Sequence, residues 1–347
     1  MPYGFIVRRE ILDMEINVHA ESKEYSIYLE RGLLSRAKEL IGREGHVFMV
    51  SDDGVPEVWR GMLTKQYPDS VMYIFKNGEA SKNFNTLQDI LKAMQNAHIS
   101  RKDTVIALGG GVVGDMAGFA AAIYMRGIHY INIPTTTLSQ IDSSIGGKTA
   151  IDFNGIKNSV GSFLQPDMVL VDPDTLTTLP GRHFHNGLAE AVKEGLIRSE
   201  ALFEIFERDD PEAHIDEIIE RCLRIKKEIV EKDEKEQGER KLLNFGHTFG
   251  HAYESYYGMN GYYHGECVGM GMITVLDNED IKERLKTILI RLDLPVSCNP
   301  DKKKIMNLIQ SDKKADHDHI TVVQVDRIGH GYLEEWDMKK IGEKLGI

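Results

Sequence analysis

A chain of 347 residues with 54 acidic and 42 basic side chains, a formal charge of −12, can bury two cores but presents no broad face for nucleic acid. Its three cysteines, Cys222, Cys267 and Cys298, form no zinc or disulfide pattern and fit a reducing compartment. No apolar run reaches the roughly 18 residues that span a bilayer, and the N-terminus lacks the apolar core of a signal peptide, so the expected setting is the cytoplasm.

The first dozen residues are expected to form a loose extension. Met14 to Leu29 alternates in EINV and YSIYL, which predicts strands in a hairpin. HVFMVSDD, His46 to Asp53, predicts a strand ending in acidic residues, followed by a helix over Glu57 to Lys65 and a strand at Val71 to Phe75. Leu87, Ile90, Leu91 and Met94 recur at helical spacing within Phe84 to Asn96. TVIALGGG then predicts a strand running into a glycine turn, Gly114 to Tyr124 a helix of small residues, and Tyr130 to Pro134 another strand. This βαβ repetition implies a Rossmann-like α/β domain with a mostly parallel sheet, residues 1–172. Beyond Asp172 helical patterns dominate, as at Ile215 to Lys232 and Asp280 to Leu292, and only Ile320 to Val325 looks strand-like. Residues 173–347 are therefore expected to form a mainly helical domain, with the active site in the cleft between the two.

Three features carry chemistry. Gly109, Gly111 and Gly114 satisfy G-x-G-x-x-G between a strand and a helix, where backbone amides and the helix N-terminus suit a pyrophosphate. Glycines also serve tight turns and close packing, and no acidic residue follows at the usual distance for a ribose; Asp52, ending an earlier strand, can take that part. In LNFGHTFGHAYE, His247 and His251 share a helix face at i, i+4, and His264 follows. With Glu190, which shares a face with Lys193, two or three of these imidazoles make a sensible zinc shell. Finally Arg126, Lys148, Lys157, Asn158, Lys193, Arg240 and Asn244 form a scattered anion-binding set, several beside glycines. Taken singly each is ordinary solvated charge, as the run Lys226 to Lys241 would normally be.

Taken together these segments closely resemble the 3-dehydroquinate synthases, a family of sugar-phosphate cyclases. The resemblance runs from about Met14 to the C-terminus. It rests on GEASK (from Gly78), GGGVVGDMAGFAA (from Gly109), IPTTTLSQIDSSIGGKTAID (from Ile133) and GIKNSVGSFLQP (from Gly155). It continues through LAEAVKEG (from Leu188), DEKEQGER (from Asp233), LNFGHTFGHAYE (from Leu243) and HGE (from His264).

The resemblance implies an NAD-binding first domain, a metal-binding second domain and a homodimer. It implies catalytic zinc, replaceable by cobalt, on Glu190, His247 and His264, with His251 a catalytic histidine and no ligand. Lys148, Lys193, Arg240 and Asn244 join His251 in the implied catalytic set. Substrate contacts would be Asp142, Lys148, Lys157, Asn158, Lys193, Lys226, Glu236, Arg240 and Asn244, with Arg126 reaching a partner's phosphate site. Lys313 or Lys314 would add a contact, where SDKKADHDHI departs from the family pattern. NAD contacts would be Asp52, Glu79, Lys82, Gly110, Gly111, Gly114, Asp115, Thr135, Thr136, Asp142, Lys148 and Lys157. The implied substrate is 3-deoxy-D-arabino-heptulosonate 7-phosphate. Its conversion to 3-dehydroquinate and phosphate runs through transient oxidation by NAD, phosphate elimination, re-reduction, ring opening and intramolecular aldol closure.

Other readings remain. A 2-deoxy-scyllo-inosose or valiolone-type cyclase shares NAD, metal and the opening oxidation, although Arg240 and the GGKTAID and GIKN segments favour dehydroquinate synthase. A glycerol-type metal-dependent alcohol dehydrogenase needs fewer phosphate ligands. A non-catalytic NAD- or sugar-phosphate-binding regulator predicts damage to Glu190, His247 or His264, and all three are present.

Overall fold

The computed structural model describes residues 14–258, 261–312 and 319–347. The expected N-terminal extension and the two candidate lysines Lys313 and Lys314 lie outside the described residues. The chain divides into two compact units, Met1–Leu179 and Pro180–Ile347. No helix among the described residues is long and apolar enough to cross a membrane.

In the first unit, β1 (Met14–His19) and β2 (Glu24–Leu29) pair antiparallel, as their alternation predicts. Ile16 and Val18 point inward, while Glu15, Asn17 and His19 point to solvent. There follow α1 (Ala37–Ile41), β3 (Val47–Asp52), α2 (Glu57–Gln66), β4 (Val71–Phe75), α3 (Phe84–Asn96), β5 (Thr104–Gly109), α4 (Gly111–Ile123) and β6 (His129–Pro134). A hairpin, β7 (Lys148–Phe153) and β8 (Ile156–Phe163), stands apart as its own two-stranded sheet before β9 (Met168–Val171).

The main sheet has seven strands in the order β1-β2-β9-β6-β5-β3-β4. Every pairing except β1 with β2 is parallel. Parallel strands are covered on both faces, which explains why β5 is buried throughout. Phe48, Val50, Val105 and Ala107 pack on one face with α3 and α4, through Leu87, Ile90, Met94, Val113 and Met116. The alternate residues Met49, Ile106 and Leu108 pack on the other face with Leu33, Leu34, Ala37 and Leu63. α3 starts cleanly because Asn83 Oδ1 accepts from the amides of Asn85 and Thr86, at 2.9 and 3.1 Å.

The crossover from β3 runs outward to β4, and the one from its neighbour β5 runs the other way to β6, so the connections of these adjacent strands leave in opposite directions. That topological switch opens a crevice at the carboxyl ends of β3 and β5, where sheets of this class bind ligands. Asp52 and the glycine turn stand at those two strand ends.

The second unit is mainly helical: α5 (Gly181–Arg198), α6 (Glu200–Arg208), α7 (Ile215–Lys232), α8 (His247–Tyr257), α9 (His264–Val275), α10 (Glu279–Arg291) and α11 (Lys302–Asp312). A hairpin of β10 (His319–Arg327) and β11 (His330–Asp337) precedes α12 (Met338–Leu345). α7 shows the amphipathic logic, burying Ile215, Ile218, Ile219, Cys222, Leu223, Ile229 and Val230.

Three expectations need correction. The second unit holds two strands where Ile320 to Val325 alone looked strand-like. β11 reads HGYLEEWD and buries only Trp336 fully, so it lacks an apolar alternation and is held by its partner strand. The GGKTAID and GIKN segments, where the sequence pattern predicts no strand, form the β7–β8 hairpin. α4 starts at Gly111, not at Gly114, because the helix opens directly out of the glycine turn.

Candidate active site

The crevice of the first unit is built largely from backbone. Gly110 is the N-cap of α4, and the amide of Thr135 donates to the Gly109 carbonyl at 2.9 Å, joining the turns after β5 and β6. A Cβ on Gly109 would lie 2.5 Å from Val113 Cγ2, so this glycine is required by packing. Cβ atoms on Gly110 and Gly111 would lie 3.0 Å from Thr136 Cγ2 and 3.1 Å from Ser143 Oγ. A Cβ on Gly114 would stand 3.3 Å from Asn132 Nδ2. Thr136 is fixed by Ser139, whose hydroxyl is 2.9 Å from its own, and Asp142 lies in the π-helical turn Ser139–Ser143. Asp52 accepts from the amides of Gly54 and Val55 at 2.9 and 3.1 Å, yet burial raises its carboxyl above the usual value.

Beside the crevice lies a charged network that sequence spacing does not reveal. Lys82 is buried, with Nζ 2.6 Å from Asp115 and 3.8 Å from Glu79, and it donates to Asn158 Oδ1. Burial alone would lower the Lys82 ammonium, but the carboxylates of Asp115 and Glu79 leave it raised. Lys157 Nζ stands 3.8 Å from Glu79, and the Asn158 amide donates to Asp152 at 2.9 Å. The structure thus brings Glu79, Lys82, Asp115, Lys157 and Asn158 together. Lys148 opens β7 and is exposed. Asn158 and Arg126 adopt left-handed backbone angles, φ 53° and 67°, which side-chain-bearing residues take up at a cost.

In the second unit, Glu190 and Lys193 occupy successive turns of the buried face of α5, each 1 % exposed, and are hydrogen-bonded to one another. His247 and His264 are the first residues of α8 and α9. These helices touch at backbone distance through Gly246, Gly250 and Gly271, which lets the two imidazoles face Glu190. His247 Nε2 is 3.7 Å and His264 Nε2 3.3 Å from Glu190 Oε1. The His247 ring is 5.1 Å from His251 and 5.3 Å from His264, centroid to centroid. His251 is exposed one turn along α8.

The start of α9 is strongly braced. Asn186 Oδ1 accepts from the Gly265 amide at 2.7 Å, and Glu266 Oε2 accepts from the Tyr263 amide at 2.8 Å. Arg182 grips Glu266 with two bonds of 2.7 and 2.8 Å and lies over the Tyr263 ring at 4.0 Å. These bracing residues and Glu254, 3.3 Å from His264 Nδ1, escape the sequence reading. Lys226 departs from the solvated charge run, since it lies on the apolar stripe of α7 and is buried. Arg240 is buried as well and donates to the Glu234 carbonyl. Asn244 donates to Glu236 Oε1 at 2.6 Å, and Glu236 has φ 60°.

Comparison with known proteins settles the family. A family model described as 3-dehydroquinate synthase N-terminal matches residues 72–186, and one described as 3-dehydroquinate synthase C-terminal matches residues 187–315. A 3-dehydroquinate synthase of Clostridium acetobutylicum is 41% identical, covering 97% of this chain and 99% of its own. The chain belongs to the 3-dehydroquinate synthase family. As a member it is a lyase of the oxidising, eliminating and cyclising kind. The 3-dehydroquinate synthase of Streptococcus mutans is 36% identical, covering 96% of this chain and 99% of its own. The fold is shared with a 2-deoxy-scyllo-inosose synthase complexed with carbaglucose-6-phosphate, NAD+ and Co2+, at TM-score 0.85 and 23% identity over 96% of this chain and 99% of that one. A 2-epi-5-epi-valiolone synthase from Streptomyces hygroscopicus with NAD+ and Zn2+ bound gives TM-score 0.83 and 25% identity over 92% and 95%.

Glu190, His247 and His264 fit a divalent ion. Their ligand atoms lie within 4.8 Å of one another. Tetrahedral bonds of about 2.0–2.1 Å place ligand atoms roughly 3.3–3.4 Å apart, and the two imidazole nitrogens stand 3.3 and 3.7 Å from Glu190 Oε1. That oxygen is buried and makes no hydrogen bond. Burial opposes ionisation of Glu190, but the Lys193 ammonium beside it holds its carboxyl well below the usual range. Burial also lowers His247, leaving a neutral ring with a lone pair to donate. His251, Glu254 and His264 form a second, overlapping group of possible ligands.

Proposed function

We propose that this chain converts 3-deoxy-D-arabino-heptulosonate 7-phosphate to 3-dehydroquinate and phosphate, with NAD and a divalent zinc or cobalt ion as cofactors. The observation that carries this reading is likeness to curated 3-dehydroquinate synthases along nearly the whole chain, 41% over 97% of it. We assign the NAD-binding domain to residues 1–172 and the metal- and substrate-binding domain to residues 173–347. When bound, the ion supplies Lewis-acid polarisation of a substrate hydroxyl, and NAD accepts and returns one hydride.

The protein's own residues do the rest. The amides at Gly110 and Gly111 and the opening turn of α4 hold pyrophosphate, while Asp52 and Glu79 accept from ribose hydroxyls. Lys82 neutralises Asp115 beside that turn, with Thr135, Thr136, Asp142, Lys148 and Lys157 as further contacts. Glu190, His247 and His264 hold the ion. Lys193, Lys226 and Arg240 are buried cations, so their fields act at low dielectric and orient an anionic substrate before reaction. Asn244, held by Glu236, and Asn158, held by Lys82, add directional hydrogen bonds to substrate hydroxyls. His251 is the exposed imidazole beside the ion's ligands and carries a proton to or from the substrate. The protein is read as a cytoplasmic homodimer in which Arg126 serves the phosphate site of the second copy.

The test is substrate competition. The metal-loaded protein with NAD is offered the heptulosonate phosphate and, separately, glucose 6-phosphate. Phosphate release from the first alone supports the reading. Release only from the hexose phosphate, which has no carboxylate, moves the protein to the 2-deoxy-scyllo-inosose type of cyclase.

A further inference from the structure

His264 belongs to both candidate ligand groups, Glu190–His247–His264 and His251–Glu254–His264. Opposite nitrogens of its ring face the two carboxylates: Nε2 is 3.3 Å from Glu190 Oε1, and Nδ1 is 3.3 Å from Glu254 Oε2. A neutral imidazole has one lone pair and one N–H, so only one nitrogen can bind an ion while the other donates.

We propose that Glu254 is a positioning residue that accepts the Nδ1 proton of His264 and so commits its Nε2 lone pair to the metal. The proposal rests on the metal reading above. Three observations select this arrangement over coordination through Nδ1. Glu190 Oε1 is buried and receives no hydrogen bond from the facing nitrogens, as expected of an atom sharing an ion with them. His247 repeats the pattern, with Nδ1 3.1 Å from the Phe245 carbonyl and Nε2 toward Glu190. Glu254 projects from α8 with its side chain 13 % exposed, and it reaches the start of α9 at the ring nitrogen facing away from Glu190. A carboxylate acceptor raises ligand basicity more than a carbonyl does, so His264 becomes the stronger imidazole donor. The braces from Asn186 and Glu266 set the position of the α9 backbone, and Glu254 sets the rotation of the ring.

The experiment compares wild type, Glu254→Gln and Glu254→Asp. Zinc affinity and release rate are measured by competition with a chromogenic chelator, and thermal unfolding is followed on the metal-free proteins. Glutamine is isosteric but uncharged, and aspartate is one methylene short. Both should bind zinc about 10–100-fold more weakly, with Glu254→Gln unchanged in metal-free melting. Zinc affinity within twofold of wild type in both variants would overturn the proposal. A readout on the wild type needs no variant to fold: the cobalt-loaded protein should show two exchangeable, paramagnetically shifted imidazole N–H resonances, one from each ligand histidine. A single such resonance would also overturn it. Wild-type protein that retains no metal would instead sink the metal assignment itself.

Discussion

Gly271 lies two turns into α9, away from any proposed ligand, and should nonetheless control metal binding. A Cβ there would sit 2.1 Å from the Gly246 carbonyl oxygen and 2.7 Å from the Gly250 amide nitrogen, both on the backbone of α8 or its approach. Ordinary contact begins at 3.4 Å, so Gly271→Ala must part the helices by about 1.3 Å. These helices carry His247 and His264 at their first residues, and metal–ligand distances tolerate only about 0.2 Å of error. Overpacking of this kind costs about 1–3 kcal/mol. If the helices relieve that strain by separating, the ion must restore it on binding, which corresponds to about 5- to 150-fold weaker affinity. Zinc titration and thermal unfolding read both effects. Gly181→Ala is the control, because nothing lies within 4 Å of a Cβ at that position. It should leave affinity unchanged and stability equal or slightly higher. Gly271→Ala with wild-type affinity and melting temperature would refute the backbone-contact reasoning.

Lys82→Met removes the cation 2.6 Å from Asp115 and leaves that carboxylate uncompensated. Stability should fall by about 3 kcal/mol and calorimetric NAD affinity by at least about tenfold; unchanged values would separate this network from the cofactor. Glu190→Gln should lose the bound metal and turnover together, because its oxygen is the one both imidazoles face. Retention of stoichiometric metal by elemental analysis would contradict this. Asp167 accepts from the Tyr130 amide at 2.8 Å and pairs with Lys23 and Arg43 at 3.2 and 2.8 Å. Burial alone would raise its carboxyl, but these partners hold it below the ordinary 3.8. A depressed folded value means the stabilisation is complete above the unfolded pKa and is lost as pH falls through the folded pKa. Asp167→Asn should therefore be less stable by about 2 kcal/mol at pH 7, with denaturation curves converging with wild type in acid. A constant gap down to pH 2 would show that the carboxylate charge plays no part.

Sequence pattern reveals the first unit well because buried parallel strands are short apolar runs with helical periods between them. β4 and α3 occupy the residues their patterns predict. The β7–β8 hairpin escapes the pattern, since β8 exposes Ile156 and Phe163 and carries Gly161 mid-strand, where a Cβ would meet the Thr149 carbonyl at 2.1 Å. Within the second unit, the helical spacing of His247 and His251 is legible, but spacing alone does not bring His264 or Glu190 to them. The partner that completes the facing set with His247 and Glu190 is His264, from the next helix, placed by the backbone contact of α8 with α9 and by the braces at the start of α9. Lys226 illustrates the reverse case: its burial is written in the periodicity of α7 and obscured by the charge run it begins. The Lys82–Asp115–Asn158 network joins three segments and has no local signature.

The most direct test of the account mixes metal-loaded protein with NAD and the heptulosonate phosphate, and follows phosphate, dehydroquinate and NADH together. Equal amounts of phosphate and dehydroquinate over many turnovers, with no net NADH, are predicted, because the hydride removed is returned in each cycle. NADH accumulating in step with substrate consumed, without a carbocyclic product, would contradict the account and identify a simple dehydrogenase.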